Sequence, residues 1–237
     1  MNLFRMVLVC LSFITASQSI ATAQGLGADV KIEQIGPSLA HPWGISLIDN
    51  KTALITLRDG VLIRMNLDTG SVTQIANVPA VFARRQGGLL DVLTHKDTSG
   101  LLSAYICYSK PVNGGAVTAL DRAEVQKDSL INRQTLFQAN DASARAVHFG
   151  CRIAIHNNYL YLSIGDRGQR DNAQNFTSHA GAVVRLNLDG LIPENNPVFP
   201  NGAPGLFTKG HRNPQGMAIH PLTGDVWINE HGPKGGD

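Results

Sequence analysis

Four segments of this chain each place a glycine at the start of a short apolar run, and this recurrence constrains the fold more than any other feature. The segments are PWGISL, GGLLDVL, FGCRIAI and PQGMAI, which begin near residues 42, 87, 149 and 214. Glycine has no Cβ, so it allows the backbone to come close to a crowded axis. The pattern is typical of the inner strand in each blade of a β-propeller, where the backbone lines a central channel.

The rest of the chain also favours strands. Helical periodicity is almost absent, and short runs rich in β-branched and aromatic residues recur between turn residues. The runs are ALITL, VLIRMNL, SAYICYS, RIAI, YLYLSIG, AVVRLNL and VWINE. The 24 glycines and 11 prolines separate these runs from one another. The sequence therefore predicts an all-β domain.

One internal repeat indicates the size of the repeating unit. GVLIRMNLDTG at residues 60–70 and GAVVRLNLDG at residues 181–190 share an Arg, an Asn-Leu-Asp segment and a turn glycine. Their separation is about two units of sixty residues each, which fits repeated four-stranded sheets better than a sandwich. The Asp-Thr-Gly and Asp-Gly ends are typical of hairpin turns.

The first 23 residues resemble a secretory signal peptide. Arg5 precedes an apolar segment, and Ala21-Thr22-Ala23 supplies small residues for cleavage. The apolar segment is too short to span a bilayer, so we expect no membrane anchor and a periplasmic or secreted protein. Residues 24–237 then form the propeller domain, with room for about three to four blades, and we interpret the chain as the N-terminal part of a longer protein.

Composition excludes several classes of function. The net charge is +2 and there is no Lys/Arg run, so nucleic acid and anionic membrane are poor partners. The motifs of P-loop proteins, dinucleotide-binding folds, serine hydrolases and zincins are also missing from the sequence. Cys107 and Cys151 are the only cysteines after the signal peptide. An oxidising compartment would allow the two to pair, but two cysteines are no disulfide framework, so we favour two small buried side chains on strands.

Polar residues flank the predicted inner strands and would converge on one face of a propeller. They are Gln86, His148, Arg152, Asp166, Arg212 and Asn213. His148 is the best candidate for a general base, because imidazole titrates near neutral pH, although a single histidine is more often structural. For Arg152 we expect an ion pair between blades.

Three loops leave two interpretations each. GHRNPQG at residues 210–216 offers a cation and an amide to an anionic group, or is a solvated turn. SIGDRGQRDNAQN at residues 163–175 is a site loop or an exposed loop, and its Asp166 is compatible with an Asx turn. In NEHGPKGGD at residues 229–237, the carbonyl groups of Gly232 and Pro233 suit a hard cation such as Ca²⁺, although nothing local demands one.

Six motifs together resemble one family. RQGGLLDV, HFGCRIAI, YLSIGDRGQRDNAQN, RLNLDG, GHRNPQGMAIHP and NEHGPKGGD occur in the order and spacing of the soluble pyrroloquinoline quinone (PQQ)-dependent sugar dehydrogenases, in the aldose sugar dehydrogenase branch. The resemblance extends from about Pro42 to the last residue. It implies a six-bladed propeller that holds PQQ and Ca²⁺ and oxidises the anomeric hydroxyl of an aldose to a lactone. Hydride passes to the quinone, and an external acceptor such as a quinone, a cytochrome or a dye takes the electrons.

The resemblance also assigns roles to residues of this chain. His148 matches the general base, and Gln86 matches a residue near the substrate and the cofactor. Arg212 and Asn213 match the pair that contacts the quinone oxygens, where Arg212 would stabilise developing charge. His231 stands beside the calcium loop in a position to contact the cofactor.

The same resemblance implies metal ligands in this chain and shows where the chain departs from the family pattern. Gly232 and Pro233 match carbonyl ligands of the catalytic calcium, and Asp237 falls where a second, structural calcium site begins. Val147 replaces an acidic residue of the glucose-specialised branch and Arg167 replaces an amide, which favours a broader aldose preference. The remaining PQQ contacts of the family lie in blades that follow residue 237, so we expect this chain to bind PQQ weakly on its own.

Two other functions compete with the dehydrogenase. A propeller that binds sugar or protein without catalysis has the same fold, and fold alone does not separate the two. A propeller lactonase that uses calcium without quinone needs an acidic cage around the metal, and the sequence shows no such cluster. The sequence does not specify the preferred aldose, the physiological electron acceptor or the oligomeric state.

Overall fold

The computed structural model describes residues 31–233. Residues 35–237 form one compact unit. The predicted signal peptide, residues 1–23, and the predicted calcium ligand Asp237 lie outside the described residues. No helix within the described range is long and apolar enough to cross a membrane.

The described part of the chain consists of strands, turns and one short 3-10 helix, Arg170–Gln174. The strands are β1 (Pro42–Leu47), β2 (Thr52–Leu57), β3 (Val61–Asn66), β4 (Val72–Ile75), β5 (Leu89–Lys96), β6 (Leu102–Val112), β7 (Gly115–Val125), β8 (Leu130–Gln138), β9 (Ile153–His156), β10 (Tyr159–Ile164), β11 (Ala182–Asn187), β12 (Leu206–Lys209), β13 (Pro214–Ile219) and β14 (Val226–Glu230). The all-β prediction is confirmed.

The strands form consecutive antiparallel meanders, as in propeller blades. Three sheets have four strands each, β1 to β4, β5 to β8 and β9 to β12, and β13 pairs with β14 in a fourth. The glycine-led segments are β1, β5, the approach to β9, and β13, so each one leads its sheet. The repeated Asn-Leu-Asp segments end the third strands, β3 and β11. The predictions of a propeller and of three to four blades within this chain are confirmed.

Alternation of side chains along each strand packs one blade against the next. In the first blade Leu54 and Leu62 belong to a core shared with the second blade, whereas Ala53 and Ile55 belong to a separate cluster on the opposite face. A larger core joins the second blade to the third, and a fourth cluster joins the third blade to β13 and β14. The period of two in a strand produces this layered packing, because successive side chains point to opposite faces.

One disulfide and one ion pair connect the second and third blades. Cys107 of β6 and Cys151, just before β9, form a disulfide, so the expectation of two unpaired cysteines is wrong. Sequence patterning gave no information on their distance, and packing of the two blades brings both into one core. The prediction for Arg152 is confirmed, because its Nη1 lies 2.9 Å from Oδ1 of Asp91 on β5.

The entry to the inner strand has the same unusual backbone in three blades. His41, Arg85 and His148 lie just before β1, β5 and β9, and their φ angles are 50°, 50° and 51°. Left-handed backbone is uncommon outside glycine and collects at functional sites. The pairing of β1 and of β5 with the next strand is also irregular at this end, which redirects side chains locally. The left-handed residues therefore identify one end of the inner strands as the place for a site.

Candidate active site

His148 carries a geometry that suits a general base. Its Nδ1 lies 2.6 Å from Oδ1 of Asp166, and its side chain is 14% exposed. Its Nε2 makes no hydrogen bond with any residue in the described range. A carboxylate on one ring nitrogen fixes the tautomer and leaves the other nitrogen as a proton acceptor.

Asp166 forms the Asx turn that the sequence allows and also holds the proposed base. Oδ1 of Asp166 also accepts a hydrogen bond of 2.6 Å from the amide of Gly168, which is an Asx turn. The amide of Asp166 donates to the carbonyl of Arg212 at 2.7 Å. A Cβ at the preceding Gly165 would lie 2.2 Å from the carbonyl oxygen of His148, so this loop needs glycine there. Asp166 is therefore held rigidly against the imidazole.

The backbone around His148 is fixed by side chains from three other segments. The amide of His148 donates to Oε1 of Gln86 at 2.7 Å, and Thr118 Oγ1 donates to the carbonyl of Phe149 at 2.8 Å. The amide of Gly150 donates to Oδ1 of Asn213 at 3.2 Å. Gln86, His148 and Asn213, which lie far apart in sequence, are thus brought together as predicted.

Arg167 supports the same loop from below. Its side chain is 1% exposed and its guanidinium group lies over the ring of Phe149 at 3.9 Å. Nε donates to the carbonyl of Val147 at 3.2 Å, and Nη2 donates to that of Arg145 at 2.9 Å. Nη1 donates to the carbonyl of Ala116 at 2.8 Å. All three nitrogens have protein acceptors, so Arg167 is part of the support of this loop.

A buried carboxylate balances part of the charge on Arg167. Oδ2 of Asp141 lies 3.7 Å from Nη1 of Arg167, and neither carboxylate oxygen has a hydrogen-bond partner among the described residues. Burial raises the pKa of Asp141 from its ordinary value to about 6, while Arg167 opposes this shift. Burial also lowers the pKa of Lys209 to about 8, and Asp141 opposes that change. Arg167, Asp141 and Lys209 therefore help to hold the His148 loop in place.

A cavity of about 350 Å³ lies next to the His148 loop. Three predicted cofactor contacts line it, namely Gln86, Asn213 and His231. The other residues of its lining are His41, Pro42, Trp43, Arg58, Arg85, Leu90, Phe149, Gly150 and Gln215. Asn213 is 3% exposed, and its Nδ2 finds no hydrogen-bond acceptor within residues 31–233. Amide and guanidinium donors in one cavity suit a ligand with carbonyl and carboxylate oxygens.

Glu230 organises the Arg212 loop, and the sequence analysis missed it. Its Oε2 accepts hydrogen bonds from the amides of Arg212 at 2.6 Å and Asn213 at 3.0 Å. The guanidinium of Arg212 donates from Nη1 to the carbonyl of His231 at 2.6 Å, and Arg212 does not line the cavity itself. The feature of the sequence that could have identified Glu230 is a carboxylate at the end of β14, the strand that pairs with β13. The predicted contact between Arg212 and a cofactor stays a prediction.

The predicted calcium ligands lie beside the cavity, after β14. Gly232 is half-buried and Pro233 is exposed, and their carbonyl oxygens accept no hydrogen bond from the described residues. Within this part of the chain no group of three or more His, Cys, Asp or Glu side chains suits a metal ion. Free carbonyl oxygens are suitable ligands for a hard cation, so the two residues fit part of a calcium site.

The fold and the site define a class of protein, a β-propeller with a His–Asp pair beside a polar cavity at one end of its inner strands. The family model described as Glucose / Sorbosone dehydrogenase matches residues 39–237, and the chain belongs to this family. The family resemblance seen in the sequence motifs is confirmed.

Individual relatives agree with this assignment. The chain is 34% identical over 243 residues to aldose sugar dehydrogenase YliI of Escherichia coli strain K12, which covers 100% of this chain and 63% of the relative. It is 29% identical over 258 residues to quinoprotein glucose dehydrogenase B of Acinetobacter calcoaceticus, covering 94% of this chain and 52% of the relative. The solved apo-form of soluble aldose sugar dehydrogenase from Escherichia coli superposes with a TM-score of 0.82 at 35% identity, covering 86% of this chain and 61% of that one. The chain spans less than two thirds of the length of each relative.

Proposed function

We propose that this chain is part of an exported enzyme that oxidises the anomeric hydroxyl of aldoses to lactones, with PQQ and Ca²⁺ as cofactors and an external electron acceptor. The observation that carries the proposal is the His148–Asp166 pair beside a cavity rich in polar groups. Family membership and the relatives named as aldose and quinoprotein glucose dehydrogenases support it. Export rests on the signal peptide predicted at residues 1–23.

His148 would take the proton from the anomeric hydroxyl. Nε2 has no protein partner in the described range, whereas Nδ1 is held by Asp166 at 2.6 Å. The carboxylate stabilises the imidazolium that forms when the proton arrives. The bound quinone would supply the acceptor for the hydride that leaves the same carbon, so the sugar loses two electrons and two protons in total. His148 then returns its proton to solvent.

The residues around the cavity would hold the cofactor. Gln86, Asn213 and His231 line it, and Nδ2 of Asn213 offers an unused donor to a quinone oxygen. Arg212 lies next to Asn213 and carries a positive charge that favours negative charge on the quinone. PQQ carries carboxylates, and the guanidinium groups of Arg58 and Arg85 in the lining are compatible with them. Gly232 and Pro233 would bind the calcium at the cofactor, and Asp237 would belong to a second, structural calcium site.

The first test is a spectroscopic titration of PQQ into the purified chain with excess Ca²⁺, then with a chelator, followed by an aldose. Calcium-dependent binding and a sugar-driven change in the quinone spectrum are expected. If the chain alone does not bind PQQ, the titration is repeated on a form extended past residue 237 with the family's later blades. Sugar binding without quinone reduction in both forms would favour a non-catalytic propeller instead.

The role of His148 is tested by substitution. His148→Ala is expected to lower kcat by about 10³-fold, because general-base catalysis contributes factors of this order. Asp166→Asn is expected to lower it by less, since the imidazole stays but loses its charged partner. Circular dichroism of both variants checks that the fold is retained. Full activity in a folded His148→Ala variant would falsify the mechanism.

A further inference from the structure

Three arginines line a second cleft, which adjoins the His148 loop at Val147. The cleft has a volume of about 510 Å³, and Arg84, Arg85 and Arg145 line it together with Val147 and Gly168. All three arginines are exposed. No carboxylate belongs to its lining. The cleft is therefore a concentrated patch of positive charge.

The three charges have no counter-ion in the described part of the chain. None of these arginines forms an ion pair with a residue between 31 and 233. Arg145 donates from Nη1 to the carbonyl of Gly168 at 2.6 Å, and Arg84 lies over the ring of Phe82 at 5.7 Å. These contacts fix the positions of two guanidinium groups without neutralising them. Like charges in one cleft repel one another, and an anionic ligand would relieve the repulsion.

The cleft adjoins the proposed catalytic base directly. Val147 precedes His148, and the amide of Gly168 donates to the same Asp166 oxygen that holds the imidazole. Arg85 lines both this cleft and the cavity that contains Gln86 and Asn213. A ligand in the cleft would therefore lie within reach of the reacting centre.

The backbone at Arg85 gives independent support for a functional position. Arg85 precedes β5 as His148 precedes the β9 segment, and both have left-handed φ angles, 50° and 51°. Such a conformation is costly for a residue with a Cβ and is retained mainly where a side chain must be aimed. Arg85 therefore has the same backbone conformation before its inner strand as the proposed base has before β9.

We propose that this cleft is a subsite for the anionic group of the substrate, so that the preferred aldose carries a carboxylate or a phosphate. Arginine matches both groups, because its planar donors bind carboxylate and phosphate oxygens in pairs. The inference rests on the proposed function and names the substrate class for the same site. It narrows the broader aldose preference that the motif resemblance implies.

The substrate is a better occupant of the cleft than the cofactor. Arg84 and Arg145 line the cleft alone and are absent from the cavity proposed for PQQ. The two spaces share Arg85, so we assign one ligand to each space, with the two ligands adjacent at this residue. Loss of Arg84 or Arg145 should therefore affect the sugar and not the cofactor.

The test measures dissociation constants of D-glucuronate, D-glucose 6-phosphate and D-glucose by calorimetry, with and without PQQ and Ca²⁺. We expect at least one anionic sugar to bind roughly tenfold more tightly than glucose, as for a charge-assisted contact. The two anionic sugars distinguish a carboxylate from a phosphate. Added salt should weaken their binding and leave that of glucose nearly constant.

Substitutions assign the preference to the cleft. Arg145→Gln and Arg84→Gln should each remove much of the anionic preference, whereas Lys127→Gln, which removes the same charge from an exposed turn between β7 and β8, should keep it. Equal binding of all three sugars, or no measurable binding of any, would overturn the proposal. So would a loss of PQQ affinity in Arg145→Gln with the sugar preference unchanged.

The binding experiment also separates this inference from the proposed function. Selective binding of anionic sugars, with no sugar-driven change of the quinone spectrum in either the chain or the form extended past residue 237, would retain the subsite and reject the dehydrogenase. Oxidation of glucose with no preference for its anionic analogues would do the reverse.

Discussion

The two sides of the His148 loop use arginine in opposite ways. Below the loop, Arg167 is 1% exposed, and its three guanidinium nitrogens donate to carbonyl oxygens of the protein. At the surface, Arg145, Arg84 and Arg85 are exposed and have no ion pair among the described residues. A buried guanidinium with all its donors used is part of the scaffold, whereas an exposed one without a counter-ion is available to a ligand.

This comparison predicts which substitutions affect stability and which affect binding. Changes in the buried support should lower the free energy of unfolding. Changes in the exposed cleft should leave stability almost untouched and alter ligand preference. Four experiments, in order of decreasing expected effect, sharpen or break this separation.

The largest effect on stability should come from the disulfide between Cys107 and Cys151. The bond closes a loop with a sequence separation of 44. The chain-entropy model gives about 4 kcal/mol for a loop of this size. The double variant Cys107→Ala/Cys151→Ala should lose about that much unfolding free energy in urea titrations. Reducing agent should destabilise the wild type and leave the double variant unchanged.

Substitution of Arg167 should have the next largest effect. Arg167→Met removes the donors to the carbonyls of Val147 and Arg145 and leaves Asp141 as a buried charge without its cation. The cost should be about 3 kcal/mol, as when one partner of a buried ion pair is removed. Urea denaturation measures it, and Arg167→Lys should recover part of the loss. A change below about 0.5 kcal/mol would show that the loop is held without Arg167.

The pH dependence of stability should reveal Asp141. Burial raises its pKa from 3.8 to about 6, so the folded protein holds this proton more tightly than the unfolded chain does. The contribution of Asp141 to the free energy of unfolding should therefore be highest below about pH 4. It should fall as the pH rises from about 4 to 6.

Asp141→Asn isolates this contribution. Asp91, whose pKa burial raises to about 6 although Arg152 opposes the shift, titrates in the same window and is present in both proteins. Relative to Asp141→Asn, the wild type should lose about 2 kcal/mol of unfolding free energy between pH 4 and pH 7. Urea midpoints at four pH values measure the difference. Parallel pH curves for the two proteins would exclude a raised pKa at Asp141.

The smallest effect should come from the exposed cleft. Arg84→Gln and Arg145→Gln remove charges that have no counter-ion in the described range, so stability should change by less than about 0.5 kcal/mol. Thermal unfolding without sugar measures this. A loss as large as that for Arg167→Met would mean that the cleft belongs to the scaffold and would remove the distinction between the two regions.

Much of the fold could be predicted from local patterns. Glycine within or just before β1, β5, β9 and β13 marks the inner strand of each blade. In the first three blades a Cβ at this glycine would approach neighbouring backbone, and at Gly216 of β13 it would meet the side chain of Asn229. The candidate site was predictable in part. His148, Gln86 and Asn213 were found from their positions next to these strands, and the structure brings them together.

Other parts of the site could not be predicted from local patterns. Glu230 lies on β14, and its hold on the Arg212 loop depends on the pairing of β13 with β14. The sequence left open whether the Asp166 loop belongs to the site or is exposed, and the contact between Asp166 and His148 depends on how the two loops pack. Arg167 has a polar side chain in a polar loop, and nothing in the nearby residues indicates that it is buried.

The sequence by itself determined the all-β class, the blade period, the family and the identity of the proposed base, because strand alternation, turn residues and motif order are local properties of the chain. Only the tertiary structure decided that Cys107 bonds to Cys151, that Asp166 holds His148, and that Arg167 is buried while Arg145 is exposed. These outcomes depend on which faces of neighbouring blades meet. That packing joins residues far apart in sequence and sets which charges are removed from water.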